Sequence, residues 1–180
     1  MTDDETIRRV LAGDHNCFGL LVEKYQTKIV GMIFNMTRDH HLSEDLGQEV
    51  FVAVYRSLEA FDSARSQFST WIYRIAKNKT LNALKKKRPM FLREVPDSAG
   101  PENVHRDVAA AELNAEFDRI LARMPVRQRL VFVWAEIEQL SYQDIAEIEG
   151  ISVGAVKSLI SRARQRFQEA RQDRKANPYE

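Results

Sequence analysis

The sequence predicts an all-α protein of two small helical domains joined by a flexible linker, the second domain containing a helix-turn-helix. Three observations predict it. Apolar residues recur at steps of three and four through most of the chain, the period of a helix with one buried face. No run alternates at period two for long enough to form a strand. A polar stretch carrying Pro89, Pro96, Gly100 and Pro101 interrupts the helical pattern once, near the middle of the 180 residues.

Each element follows from its own stripe. Phe18, Leu21, Val22, Tyr25, Ile29, Met32, Ile33 and Met36 predict one long amphipathic helix. Leu46, Val50, Phe51, Val54 and Leu58 predict a second, with Ser43 as its N-cap. Asp62 to Thr70 is polar except for Phe68 and reads as an exposed loop. Trp71, Ile72, Ile75, Ala76, Leu81 and Leu84 predict a third helix ending near Pro89. Proline fixes φ and lacks the donor a helix needs, so no helix is expected to run through the stretch that follows. The expected division is a domain over 1–92, a linker over 93–108, a domain over 109–175 and a tail over 176–180. In the second domain Leu113, Phe117, Ile120, Leu121 and Met124 predict one helix, and Leu130, Val131, Trp134 and Ile137 another.

Composition excludes several classes. Hydrophobic residues make up 44%, and 27 Lys+Arg stand against 26 Asp+Glu. A disordered chain needs fewer apolar groups and a larger net charge. No run reaches the roughly 18 apolar residues of a membrane span. The first residues, MTDDETIRR, lack the apolar core of a secretory signal. The single Cys17 forms no internal disulfide, and a reducing cytoplasm is the expected compartment.

The even charge balance hides two basic blocks. Ser63 to Arg93 holds nine basic residues and no acid. Pro89 to Ser152 holds six basic against twelve acidic, and Val153 to Lys175 seven basic against two acidic. Such blocks fit two surfaces for a polyanion, and equally two solvated helix faces.

The second block sits on a recognisable motif. Ser141 with Asp144 is a capping pattern that starts a helix through Ile145, Ala146 and Ile148. Gly150 can take the left-handed conformation that closes it. Ser152 can cap a further helix whose inner line is Val156, Leu159, Ile160, Ala163 and Phe167. Its outer face carries Lys157, Ser158, Ser161, Arg162, Gln165 and Arg166. A tight glycine turn followed by a helix with a basic free face matches the helix-turn-helix of duplex readers. Lys157, Ser158, Ser161 and Arg162 are placed for base edges and nearby phosphates, with Arg164 and Arg166 for phosphates. An α-hairpin with a solvated cationic face has the same pattern.

The first block differs, because aromatic residues interleave it. Phe68, Trp71 and Tyr73 offer faces on which unpaired bases can stack. Lys77 and Lys79 can hold a strand's backbone, and Asn78 and Asn82 stand one turn apart. Trp71 fits the apolar stripe as well, so core packing is its other reading. Asp45, Gln48, Glu49 and Arg56 lie on the polar face of the second helix, which by composition alone is a solvated face.

Three segments together resemble a known family. DLGQEVFVAVYRSLEAFD, FSTWIYRIAKNKTLNALKKKR and MPVRQRLVFVWAEIEQLSYQDIAEIEGISVGAVKSLISRARQRF resemble, in order and spacing, the bacterial extracytoplasmic-function (ECF) sigma factors of RNA polymerase. The resemblance runs from about Glu5 to Phe167. It implies that Asp45, Gln48, Glu49, Val52 and Arg56 dock on the clamp helices of the polymerase β′ subunit, with the β subunit also a partner. It implies that Phe68, Ser69, Trp71, Asn78, Lys79 and Asn82 serve recognition and melting of the promoter's −10 element. The helix-turn-helix then reads the −35 element. The family also implies an anti-sigma factor, often anchored in the inner membrane, that holds the protein inactive. The loop sequence DSARSQ implies no particular base preference.

Other chemistry finds little support. His15 with Cys17 is the one close Cys/His pair, so no metal or other cofactor is expected. The seven glycines are scattered and form no phosphate loop. No nucleophile-elbow pattern occurs, and no enzymatic activity is expected. Two further functions stay open on the residues: a sigma-like decoy that binds an anti-sigma factor without DNA, and a stand-alone helix-turn-helix repressor. The retained cations Lys77, Lys79, Lys157 and Arg162 speak against the first. The aromatic-basic block speaks against the second.

Overall fold

The computed structural model describes residues 1–87 and 117–176, with side chains for 1–86 and 117–172. All regular structure among them is helical. The chain divides into two compact units, Met1–Ser98 and Ala99–Glu180. The expected linker 93–108, Leu113, and the end of the third predicted helix near Pro89 lie outside the described residues.

The first unit opens with a helix the apolar stripes do not announce. Helix α1 (Asp3–Leu11) is capped by Thr2, whose side chain accepts from the Glu5 amide at 3.2 Å. Asp3, Asp4 and Glu5 fill its first turn and Arg8 and Arg9 its last, which complements the helix dipole at both ends. Thr6, Ile7 and Val10 are its buried face. Gly13, at φ +102, turns the chain into a short 3₁₀ segment over His15–Cys17.

Helix α2 (Phe18–Thr37) buries Leu21, Tyr25, Ile29, Met32, Ile33 and Met36, six of the eight residues that predicted it. It packs on α3 (His40–Arg56) and α4 (Phe68–Lys87). Arg38 closes α2 in the left-handed region, at φ 56. Its guanidinium lies 4.7 Å from the Phe34 ring centroid, and His40 stacks on the same ring at 4.1 Å.

Helix α3 begins earlier than Ser43. Asp39 is its N-cap and accepts from the Leu42 amide at 3.0 Å. Ser43 is fully buried one turn in, where its hydroxyl donates to the Asp39 carbonyl at 2.6 Å and meets Thr37 Oγ1 at 3.0 Å. Gly47 lets α2 and α3 approach: a Cβ there would stand 2.8 Å from Val30 Cγ2.

In the second unit the described part of helix α5 covers 117–122, followed by α6 (Val126–Glu136), α7 (Tyr142–Glu149) and α8 (Val153–Ala176). Ile120, Leu121, Met124, Phe132, Val133 and Ala163 form a core with Phe117, Phe167 and Ala170 packed against it. The Phe132 and Phe167 rings stack at 5.1 Å. Trp134 is fully buried, whereas Ile137, expected in the same stripe, is half exposed because α6 has ended at Glu136. Arg129 is buried and donates to the Met124 carbonyl at 3.1 Å, serving the end of α5.

Candidate nucleic-acid and partner surfaces

Helix α3 presents one side to the core and one to solvent. Leu46, Val50, Phe51 and Val54 are buried, while Asp45, Gln48, Glu49, Val52 and Arg56 are exposed. The exposed five recur at steps of three, one, three and four, so they form one stripe along the helix. Val52 is 50% exposed, an apolar β-branched side chain set among charges, where pure solvation would favour a polar residue. Beside the stripe runs a groove missed in the sequence, lined by Val22, Gln26 and Val30 of α2 and Glu44, Gly47, Gln48 and Phe51 of α3. Its sequence signal is Gly47, a glycine inside a helical stripe between Leu46 and Val50.

The α4 surface differs from expectation at its start. Phe68 heads the helix and is 2% exposed, so it is not a loop aromatic free to stack on a base. Its ring lies 5.5 Å from Tyr25, 5.5 Å from Phe61 and 5.8 Å from Trp71. Placed at the first position of α4, its ring turns inward with Ile72, one turn on. Tyr73 is likewise core, at 1% exposure. Trp71 is half-buried against Phe61 at 5.3 Å and keeps part of its ring at the surface. Trp71, Ile75, Asn78 and Asn82 follow one another at steps of three and four, with Asn78 and Asn82 exposed. Lys85 and Lys86 are exposed further along. Ser69 is partly exposed, its hydroxyl 3.5 Å from Gln67 Oε1. Lys79 Nζ is paired with Glu49 Oε2 at 3.1 Å, so the cation of this face and an acid of the α3 stripe are joined. The loop before α4 is exposed from Asp62 to Arg65 and is shaped by Asp62, whose Oδ1 accepts from the Ala64 amide at 2.9 Å.

The second unit forms the expected helix-turn-helix. Ser141 Oγ accepts from the Asp144 amide at 3.1 Å and starts α7. Gly150 closes α7 at φ 67, and the Ile151 amide reaches back to the Ala146 carbonyl at 3.0 Å. Ser152 Oγ accepts from the Ala155 amide at 3.2 Å and starts α8. Val156, Ile160 and Ala163 are buried under α8, with Leu159 and Phe167 partly so. Lys157, Ser158, Ser161, Arg162 and Arg166 are exposed on the other side. Ser158 and Arg162 fold along the helix, donating to the Gly154 and Ser158 carbonyls at 3.2 Å each.

Arg164, which the sequence reading assigns to phosphates, is exposed but paired within the unit. Its Nε and Nη2 donate to Glu136 Oε1 at 2.9 and 2.7 Å, and Nη2 lies 3.5 Å from the Tyr142 hydroxyl. The hydrogen bond it donates to Glu136 pushes the Arg164 pKa above its ordinary value. Glu136 is 28 residues away, which is why no local pattern shows the pair. Among the described residues no group of three or more His, Cys, Asp or Glu could hold a metal ion. No helix among them is long and apolar enough to cross a membrane.

Two units whose described residues form only helices, with an aromatic-basic helix in one and a helix-turn-helix in the other, define a two-part DNA-binding transcription factor. Residues 21–89 match the Sigma-70 region 2 family, and residues 114–167 match Sigma-70, region 4. The ECF RNA polymerase sigma factor SigW of Bacillus subtilis is 33% identical over 182 residues, covering 93% of this chain and 95% of SigW. The ECF RNA polymerase sigma-E factor of Haemophilus influenzae is 37% identical over 177 residues, covering 92% and 93%. The chain belongs to the ECF sigma factor family. In fold it is similar to CnrH, solved in complex with the cytosolic domain of CnrY, with TM-score 0.72 and 24% identity over 95% of this chain and 97% of that one. It is also similar to the sigma factor RpoE of Bartonella quintana, solved with the anti-sigma factor NepR, with TM-score 0.71 and 22% identity over 86% and 96%.

Proposed function

We propose that this sigma factor acts through three separate surfaces. The α3 stripe of Asp45, Gln48, Glu49, Val52 and Arg56 docks on the β′ clamp helices of core polymerase. The α4 line of Trp71, Asn78 and Asn82, with Ser69 at its head and Lys79 alongside, engages the melted −10 strand. Captured bases offset the stacking lost on opening. Phe68 supports that line from beneath as core. Lys157, Ser158, Ser161 and Arg162 of α8 enter the major groove at the −35 element, with Arg166 on the phosphates. The boundaries 1–92, 93–108 and 109–175 separate the docking and melting domain, the linker and the −35 reader.

The observation that carries this reading is the pairing of matched regions with open faces. Regions 2 and 4 both match, and the exposure of Asp45, Gln48, Glu49, Val52 and Arg56 on α3, of Asn78 and Asn82 on α4, and of Lys157, Ser158, Ser161 and Arg162 on α8 supports the reading. The chain performs no catalysis of its own, and RNA synthesis belongs to the polymerase. It works in the cytoplasm, where an anti-sigma factor anchored in the membrane or free covers its docking surfaces. Of the two structural relatives, RpoE was solved with the anti-sigma factor NepR, and CnrH with the cytosolic domain of CnrY.

Co-elution of the purified chain with bacterial core polymerase, followed by run-off transcription from a promoter library, tests the proposal. Stable co-elution with new, sequence-specific transcripts is expected. A folded chain that fails to bind core polymerase overturns it, in favour of a decoy, or of a repressor if it binds duplex DNA alone.

A further inference from the structure

Arg164 stands apart from the other cations of α8. Lys157, Arg162 and Arg166 are exposed on the open side of the helix. Arg164 is exposed too and lines one hollow with Lys157 and Ser161, but it is also committed within the unit: its Nε and Nη2 donate to Glu136 Oε1, and the same Nη2 lies near the Tyr142 hydroxyl. Glu136 is the last residue of α6 and Tyr142 the first of α7. One guanidinium therefore ties three helices at the point where they come together.

The segment between those two partners is fixed as well. Gln139 sits at φ 55, and its side chain donates to the Glu136 carbonyl at 2.8 Å. The Leu140 amide donates to the Trp134 carbonyl at 2.9 Å. Ser141 then caps α7. The anchor that receives Arg164 is thus followed by a segment pinned by one side-chain and one backbone hydrogen bond. A guanidinium is always charged and presents its donors in a rigid fork, so it transmits that position to α8.

We propose that Arg164 is a positioning residue of the helix-turn-helix rather than a phosphate ligand, and that Glu136 is its anchor. The clamp sets how far α8 is rotated and advanced against α6 and α7, and so where Lys157, Ser158, Ser161 and Arg162 meet the bases. The proposal rests on the reading of α8 as the duplex-reading helix. Glu136 occupies the place an anion would take. A strut and a phosphate ligand therefore respond in opposite ways to its removal.

The test compares holoenzymes carrying Glu136→Gln, Arg164→Gln, both together, or Arg162→Gln, binding a promoter duplex across a salt series. For the clamp, Glu136→Gln and Arg164→Gln each weaken binding by about two- to fivefold, the scale of an exposed ion pair. The double variant is no weaker than either single one. The slope of log affinity against log salt stays at the wild-type value for all three. Arg162→Gln, which removes a DNA contact, lowers that slope by about 0.9 if the contact is to a phosphate, or weakens binding roughly tenfold if it is to a base. Tighter binding by Glu136→Gln, or a slope lowered by about one in Arg164→Gln, overturns the clamp alone and returns Arg164 to the phosphates. A wild-type result for Arg162→Gln overturns the reading of α8, and the clamp's role with it.

Discussion

Tyr25 holds α1 to α2 through its hydroxyl, which donates to Asp3 Oδ2 at 2.6 Å, while Lys24 takes Asp3 Oδ1 at the same distance. Burial, and then the hydrogen bond to Asp3, push the Tyr25 pKa up from its ordinary value of 10.0. A group with a raised folded pKa stabilises fully below its unfolded pKa and loses that contribution as pH rises past it. Tyr25→Phe is therefore expected to cost about 1 kcal/mol near neutral pH, read by urea unfolding. It should also flatten the loss of stability above pH 10. At the other end of the chain, Lys157→Ala and Arg162→Ala are expected to weaken −35 binding by roughly 1–3 kcal/mol for each residue that contacts a base. Unchanged transcription from a −35-dependent promoter in the double variant would remove these two residues from the interface.

At the scale of elements, the contact of α2 with α3 depends on Gly47. Alanine there gains about 1 kcal/mol in helix propensity, but its Cβ would press on the stiff Val30 side chain, and overpacking costs typically 1–3 kcal/mol. Gly47→Ala should lower the melting temperature of the first unit, and adding Val30→Ala should restore part of it. A stabilised single variant would show that the helices separate easily. The outer side of α3 is tested by reversing charge at Asp45 and Glu49, which should reduce affinity for core polymerase with circular dichroism unchanged. Equal affinity would leave that stripe merely solvated. Most of these helices were legible because each buries a face at steps of three and four. The start of α3 was not: Ser43 has the chemistry of a cap, and Asp39 fills that place four residues earlier. Nor was α1, whose nine residues bury only Thr6, Ile7 and Val10, although Thr2 and Glu5 spell its cap. Phe68 was misplaced because the polar run before it hides where α4 begins. The partner of Arg164 was invisible because tertiary pairing leaves no periodicity, whereas the glycine turn and two serine caps of the helix-turn-helix are local and could be read directly.

At the scale of the whole molecule, each unit is closed by its own core: Leu21, Ile29, Ile33, Val50 and Ile72 in one, Leu121, Trp134, Ile145, Ile148 and Ile160 in the other. Charge follows the same division, with the acid-free basic run in the first unit and the basic α8 in the second. The protein's two tryptophans are shared out in the same way, Trp71 in the first unit and Trp134 in the second. Trp71 is half-buried at a surface and Trp134 is sealed from solvent, so their indole rings sit in media of different polarity. Trp71→Phe should leave an emission spectrum that is blue-shifted in the native protein and reports unfolding of the second unit alone. The difference from wild type then follows the first unit, and a denaturant titration of the two proteins should give separate midpoints if the cores melt independently. The intact chain thus carries a native optical probe for each unit, and binding of a single strand across Trp71 should quench one emission while leaving the other untouched.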